Sequence, residues 1–299
     1  MKVPLLVAKI NNHIIAYQRD ALGIIILNRP EALNATSYEM VLDINIALTA
    51  FEENKTVKHV AIRSNSDRAF CAGGDIRAAY AAMAVGNMDL CEMYFRAEYQ
   101  LIHRLATFQK PIYAFINGLC LGGGMGISIH CTARIASENA LFGMPETAIG
   151  FFPDVGAAYF YNQFNDPAEG MYLALTGNKF NRDHAIRNGM ATHAIDQTHW
   201  ESIIEQLAAE QSLETCTFKT ANVMPCALQR DIQTAFAHKT LPELIAALPA
   251  DTFNELYSTS PLSIAVTHAY MHRVCGLSLK AILEQDFALA MNFVRHGEF

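Results

Sequence analysis

The chain is 299 residues long with a formal net charge of −7, and 52% of its residues are apolar against 17% charged. That length holds one large domain or two moderate ones around a substantial core, and the acidic balance excludes a general nucleic-acid surface, which needs a basic stripe. Seven cysteines, odd in number and without a C-x-x-C pair, read as reduced thiols rather than a disulfide framework or a zinc site.

In chain order, Val7–Ile10 and Ile14–Tyr17 predict short strands around the turn-forming pair Asn11-Asn12. Gly23–Leu27 is a strand, Ser37–Glu53 a helix capped by Ser37, and His59–Arg63 a further strand. The glycine-rich turn Cys71–Asp75 opens a helix from about Ile76, and Tyr94–Thr107 has helical spacing. Ile112–Ile116 is a strand, Gly122-Gly123-Gly124 opens another helix, and Ala133–Ala136 and Leu141-Phe142 are strands. Asp183–Asn188 is a short helix ending at Gly189. From Ala194 onward only helices are expected, over His199–Glu210, Leu228–Ala237, Leu241–Leu248, Pro261–Arg273 and Leu277–Arg295. Alternating strands and helices predict an α/β fold, with a core over residues 1–200 and a helical C-terminal region over 201–299.

The stretch between Lys110 and Arg134 is uncharged and long enough to suggest a membrane span. It carries Asn117, Ser128, His130 and five glycines, so buried core is the better reading and no membrane is expected. With no signal or transit pattern after Met1, a cytoplasmic location is expected.

Three segments are candidates for chemistry. Ala69–Ile76 places Gly73-Gly74 after a strand, and Asn117–Gly126 places a triple glycine at a helix start, where N–H groups lack intrahelical partners. Neither satisfies G-x-x-x-x-G-K-[ST] or G-x-G-x-x-G. One N–H from each, converging on a single oxygen, would make an oxyanion hole; the plainer alternatives are a tight turn and close helix packing. The third segment, Phe142–Gly156, holds Glu146 and Asp154 among apolar residues, glycines and prolines. Burial there suits a carboxylate to proton transfer or nucleophilic work, against the alternative of a solvated Glu146 and a turn-capping Asp154. The absence of G-x-S-x-G disfavours serine chemistry, and no histidine spacing suggests a metal.

Taken together, these segments resemble the crotonase (enoyl-CoA hydratase/isomerase) superfamily from about Ile10 to the last residues. Leu27–Ala35 resembles its early CoA-binding turn, Phe70–Ile76 and Gly118–Gly124 its oxyanion-hole segments, and Phe142–Glu146 its catalytic-glutamate segment. The resemblance implies a spiral of β-β-α turns followed by helices. It also implies that the N–H groups of Gly74 and Gly123 hold the thioester oxygen and that backbone near Ala72 and Ile76 holds the adenine end. Relatives are often trimers or paired trimers, so a homo-oligomer is among the expected assemblies.

Hydratases of that family carry one glutamate just after the triple glycine and another in the F-G-x-P-E segment. Here the first position is Gly126 and the second is Glu146. Phe70–Arg77, Met144–Thr147, Phe152–Gly156 and Tyr94–Tyr99 are similar instead to the 3-hydroxyisobutyryl-CoA hydrolase branch of valine breakdown. That branch implies catalysis by Glu146 and Asp154 and an acyl pocket lined by Glu98, whereas spacing alone makes Glu98 an exposed helix charge. The expected reaction is hydrolysis of a short 3-hydroxyacyl-CoA, with no cofactor beyond the coenzyme A of the substrate. An enoyl-CoA hydratase or isomerase using Glu146 alone, and a non-catalytic acyl-CoA-binding member, stand as alternatives.

Overall fold

The computed structural model describes residues 5–8, 12–75, 81, 85–217, 220, 222 and 229–296. Ile10, the helix expected from Ile76 and Cys226 lie outside the described residues. The described strands are β1 (Leu5–Ala8), β2 (Ile14–Arg19), β3 (Leu22–Leu27), β4 (His59–Ser64), β5 (Ala69–Cys71), β6 (Ile112–Ile116), β7 (Leu119–Leu121), β8 (Ala133–Ala136), β9 (Leu141–Gly143), β10 (Phe180–Asn181) and β11 (His193–Ala194).

They form two sheets, one in the order β1-β2-β3-β4-β6-β8-β11 and one in the order β10-β9-β7-β5. From β4 to β9, consecutive strands alternate between the sheets. Helix Met88–Thr107 follows β5 and helix Gly123–Ile129 follows β7. This winding is the expected β-β-α spiral, and the fold is α/β. Within the large sheet β3, β4, β6 and β8 run parallel, with Ile24 opposite Ala61 and Phe115 opposite Ile135.

Strands β3 and β6 read as unbroken apolar runs because both faces of the large sheet are buried there. Leu22, Ile24, Ala61, Tyr113 and Phe115 face one cluster, which helix Trp200–Ala208 covers through Trp200, Ile203 and Leu207. Ile25, Leu27, Val60, Ile62, Ala114 and Ile116 face the main core on the other side. Trp200 meets Phe115 edge-on at 5.4 Å and donates its indole N–H to the Ile195 carbonyl.

Most expected helices are present. Ser37 caps Tyr38–Glu53 through a bond from the Met40 N–H, and Ser260 caps Pro261–Arg273. The helix expected at Tyr94 begins earlier, at Met88, capped by Asn87. Strands β5, β7, β10 and β11 were not expected, since two or three residues show no alternation; nor were helices Ala157–Tyr161, Pro167–Thr176 and Ala250–Tyr257. The uncharged stretch after Lys110 forms β6, β7 and helix Gly123–Ile129, and among the described residues no helix is long and apolar enough to cross a membrane.

Candidate active site

Asn34 ties the Leu27–Ala35 turn to the strand that leads into Gly73-Gly74. Leu33 and Asn34 both have left-handed backbone (φ 51 and 56), and Asn34 is fully buried. Its amide nitrogen reaches the Ser64 hydroxyl at 2.7 Å and the Phe70 carbonyl at 3.0 Å, while its oxygen accepts the Arg29 N–H at 2.8 Å. The Leu27–Ala35 turn is thereby stapled to β5. Ala72 N–H donates to the Leu33 carbonyl at 3.0 Å, and Arg29 pairs with Asp75 at 2.7 Å.

The two glycine turns meet. Thr36 N–H donates to the Gly73 carbonyl and Asp75 N–H to the Thr36 carbonyl; the Gly74 N–H, opposite the Gly73 carbonyl across their trans peptide, points away from Thr36, and Gly74 lines the pocket. Gly73 lies at φ 117, a conformation open in practice to glycine alone. Gly123 is the first residue of its helix, where an N–H has no intrahelical acceptor. A β-carbon built on Gly123 would lie 3.1 Å from Gly74 N and 2.7 Å from Glu98 Oε1. A side chain there would fill the space between both N–H groups and a carboxylate.

That space opens into a pocket of about 210 Å³ lined by Ala72, Gly74, Glu98, Gly123, Glu146 and Asp154 among others. Six of the seven residues singled out from sequence thus share one cavity; the seventh, Ile76, lies outside the described residues.

All three carboxylates are buried, with 3% exposure for Glu98, 9% for Glu146 and 5% for Asp154. The exposed position that spacing assigned to Glu98 is therefore wrong. Glu98 sits on the buried stripe Cys91, Phe95, Glu98, Ile102, Leu105 of its helix, where it accepts the Tyr94 hydroxyl at 3.1 Å. Nor is Glu146 solvated: it begins the short 3₁₀ turn Glu146–Ile149, and its Oε2 has no hydrogen-bond partner among the described residues. Asp154 accepts the Tyr99 hydroxyl at 2.5 Å.

Apolar walls raise all three pKa values, because a carboxylate loses hydration there without gaining a cation. Phe151 stacks on Phe95 at 5.9 Å, and Phe152 on Phe293 at 5.5 Å. Burial, reinforced by the charge of Asp154, pushes Glu98 up to about 8. Burial raises Asp154 to about 7, with the Tyr99 bond pulling the other way. Glu146 rises well above the usual carboxylate range through burial first and Asp154 second. All three line one pocket, and the charge of Asp154 disfavours ionisation of Glu98 and Glu146, so the cluster is suited to holding and releasing protons.

Gly126 is packed full: a β-carbon there would meet Val155 Cβ at 2.8 Å and Ile102 Cδ1 at 2.9 Å. The position at which the resemblance puts the other glutamate of hydratases has no room for a side chain.

Two further residues hold the site and were not singled out. Tyr99 holds Asp154, and Asp286, on helix Leu279–His296, accepts the Gly156 N–H at 2.8 Å. The available signal was a lone acid on the apolar stripe Ile282, Leu283, Asp286, Ala290, Phe293.

The enoyl-CoA hydratase/isomerase family pattern matches residues 22–299. Among curated relatives, the chain is 40% identical over 298 residues to a Danio rerio protein named 3-hydroxyisobutyryl-CoA hydrolase, mitochondrial, covering 93% of this chain and 78% of that one. It is 30% identical over 314 residues to the small ribosomal subunit protein mS47 of Schizosaccharomyces pombe, covering 97% and 73%. Among solved structures, a carnitinyl-CoA dehydratase from Mycobacterium thermoresistibile superposes with a TM-score of 0.89 at 26% identity, covering 96% and 87%. Sequence and fold agree over most of the chain: it belongs to the crotonase (enoyl-CoA hydratase/isomerase) family of acyl-CoA enzymes.

Proposed function

We propose that the chain hydrolyses a short 3-hydroxyacyl-CoA, with 3-hydroxyisobutyryl-CoA of valine breakdown as the preferred substrate. The observation that carries this reading is the buried Oε2 of Glu146, without a hydrogen-bond partner among the described residues, in the pocket that Gly74 and Gly123 also line. The two glycine N–H groups polarise the thioester carbonyl and take up the negative charge of the tetrahedral intermediate. In its ionised form Glu146 supplies the attack, either directly to give an anhydride that water then cleaves to free the acid and restore Glu146, or by drawing a proton from water. The C–S bond then breaks, and the departing thiolate takes a proton from the acid cluster. Asp154 orients the substrate hydroxyl or the water and sets the ionisation of Glu146, Glu98 contacts the acyl group or Asp154, and backbone at Ala72 and Ile76 holds the adenine end.

The packed Gly126 supports hydrolysis over hydration, which in this family uses two glutamates. The similarity to the named hydrolase of Danio rerio supports the choice of acyl group. The same reading treats residues 1–200 as the acyl-CoA-binding core and 201–299 as a helical region, in a cytoplasmic protein that assembles as a homo-oligomer.

The test is CoA release, by thiol detection, from 3-hydroxyisobutyryl-CoA with crotonyl-CoA for comparison. Free thiol from the first substrate, lost in Glu146→Gln while CoA still binds, is the expected result. Near-normal hydrolysis in that variant overturns the role of Glu146. Hydration or isomerisation of crotonyl-CoA without thiol release replaces the reaction.

A second reading, a non-catalytic member, is favoured by the similarity to a ribosomal subunit protein and opposed by the net charge of −7. CoA binding without turnover of either thioester would select it.

A further inference from the structure

The turn that carries Asp154 into the pocket has a backbone its sequence disfavours. Val155, at φ 51, is a β-branched residue in the left-handed region, and Gly156 follows at φ 80. Such a conformation persists only where its surroundings over-determine it.

Two groups from distant parts of the chain do so. On one side, the His130 ring packs against Gly156, its Nε2 3.1 Å from the place a β-carbon there would take. On the other, Asp286 Oδ2 accepts the Gly156 N–H at 2.8 Å across 130 residues of sequence. The second oxygen of Asp286 accepts the Tyr270 hydroxyl, which also reaches the Ile282 carbonyl at 3.2 Å. Asp286 is fully buried. A carboxyl there contributes less to stability than an apolar side chain of similar size would, and burial raises its pKa to about 8. Packing alone therefore gives no reason for an acid at this position, whereas its bond to the turn does.

We propose that Asp286 is a positioning residue: by accepting the Gly156 N–H it locks the Val155–Gly156 turn, so that Asp154 is aimed into the pocket only when the last helix is docked. The proposal rests on the reading that Asp154 takes part in hydrolysis.

The experiment compares Asp286→Val and Asp286→Asn in the full chain. Valine fits the apolar stripe and removes the acceptor. Asparagine keeps an oxygen for the Gly156 N–H and turns its amide toward the Tyr270 oxygen. Five quantities are measured: kcat and KM for thiol release from 3-hydroxyisobutyryl-CoA, CoA affinity by calorimetry, thermal midpoint, and amide exchange over residues 154–157. The last needs no turnover.

In Asp286→Val, kcat is expected to fall on the order of 100-fold, the effect of a misplaced catalytic group. Exchange at 154–157 rises, while CoA affinity and thermal midpoint hold. In Asp286→Asn, kcat stays within about threefold and exchange is unchanged.

A folded Asp286→Val with normal kcat and unchanged exchange overturns the proposal. So does an Asp286→Asn that loses as much as Asp286→Val, or a fall in CoA affinity that parallels kcat. If Asp286→Val does not fold, Asp286→Asn decides, and a loss beyond about tenfold is the negative result. Asp154→Asn is measured alongside. Full turnover in it removes the catalytic role of Asp154, whereas an inactive Asp154→Asn beside an active Asp286→Val removes only the role of Asp286.

Discussion

Glu146 Oε1 lies against the α-carbon of Gly122 so closely that a methyl group added at Gly122 would overlap it. The carboxylate therefore rests on a bare backbone, at a residue whose φ of 48 already favours glycine. In Gly122→Ala the cheapest relief is for the flexible Glu146 side chain to swing away. Turnover should fall on the order of 100-fold, with a stability loss of about 1–3 kcal/mol from the backbone strain. Parallel measurement of kcat and thermal midpoint checks this, and a stability loss without a kcat loss contradicts it.

Gly126 behaves differently, because its neighbours Val155 and Ile102 are core side chains rather than a mobile carboxylate. Gly126→Ala is expected to destabilise by about 1–3 kcal/mol through overpacking. Gly126→Glu should cost more and yield no hydratase, since the added acid is forced into a filled core. Urea unfolding midpoints and a crotonyl-CoA hydration assay read both effects; measurable hydration by Gly126→Glu would contradict the packing argument.

Tyr99 keeps Asp154 ionisable by donating a hydrogen bond to it, which holds its pKa below the level burial alone would set. Tyr99→Phe removes that bond, so the pKa of Asp154 should rise by about one unit. The acid limb of kcat/KM against pH should then move to higher pH by the same amount. An unmoved limb would mean that Asp154 does not govern it.

Glu98 titrates near 4.5 when unfolded and about 8 when folded, so between these values the native state holds a proton the unfolded chain has lost. The contribution of this group to stability is therefore intact below about pH 4.5 and is lost as pH rises toward 8. Glu98→Gln mimics the protonated form and still accepts the Tyr94 hydroxyl. It should raise stability at pH 8.5 by roughly 1–3 kcal/mol, a few degrees in thermal midpoint, and change little at pH 4.5. Equal midpoints at both pH values would refute the assignment of the shift to Glu98.

The glycines of both turns were legible in the sequence because they depend on local chemistry, whereas the order of motifs and the choice of Glu146 and Asp154 rested on the resemblance to the crotonase superfamily. A strand ending in adjacent glycines must turn tightly, and a triple glycine at a helix start must present bare N–H groups, whatever surrounds them. Long apolar runs such as Ile24–Leu27 and Tyr113–Ile116 likewise announce strands buried on both faces.

Only the tertiary structure decided how far each acid is buried and what holds it. Burial of Glu98 depends on which face of helix Met88–Thr107 meets Gly123, and the setting of Asp154 depends on Tyr99 and on Asp286, which bonds Gly156 from 130 residues away. A pKa follows from the dielectric and the charges within a few ångströms, and those neighbours come from segments far apart in the chain. Residue types and order thus pointed to the groups that line the pocket, while packing set how deeply each is buried and which neighbours it meets.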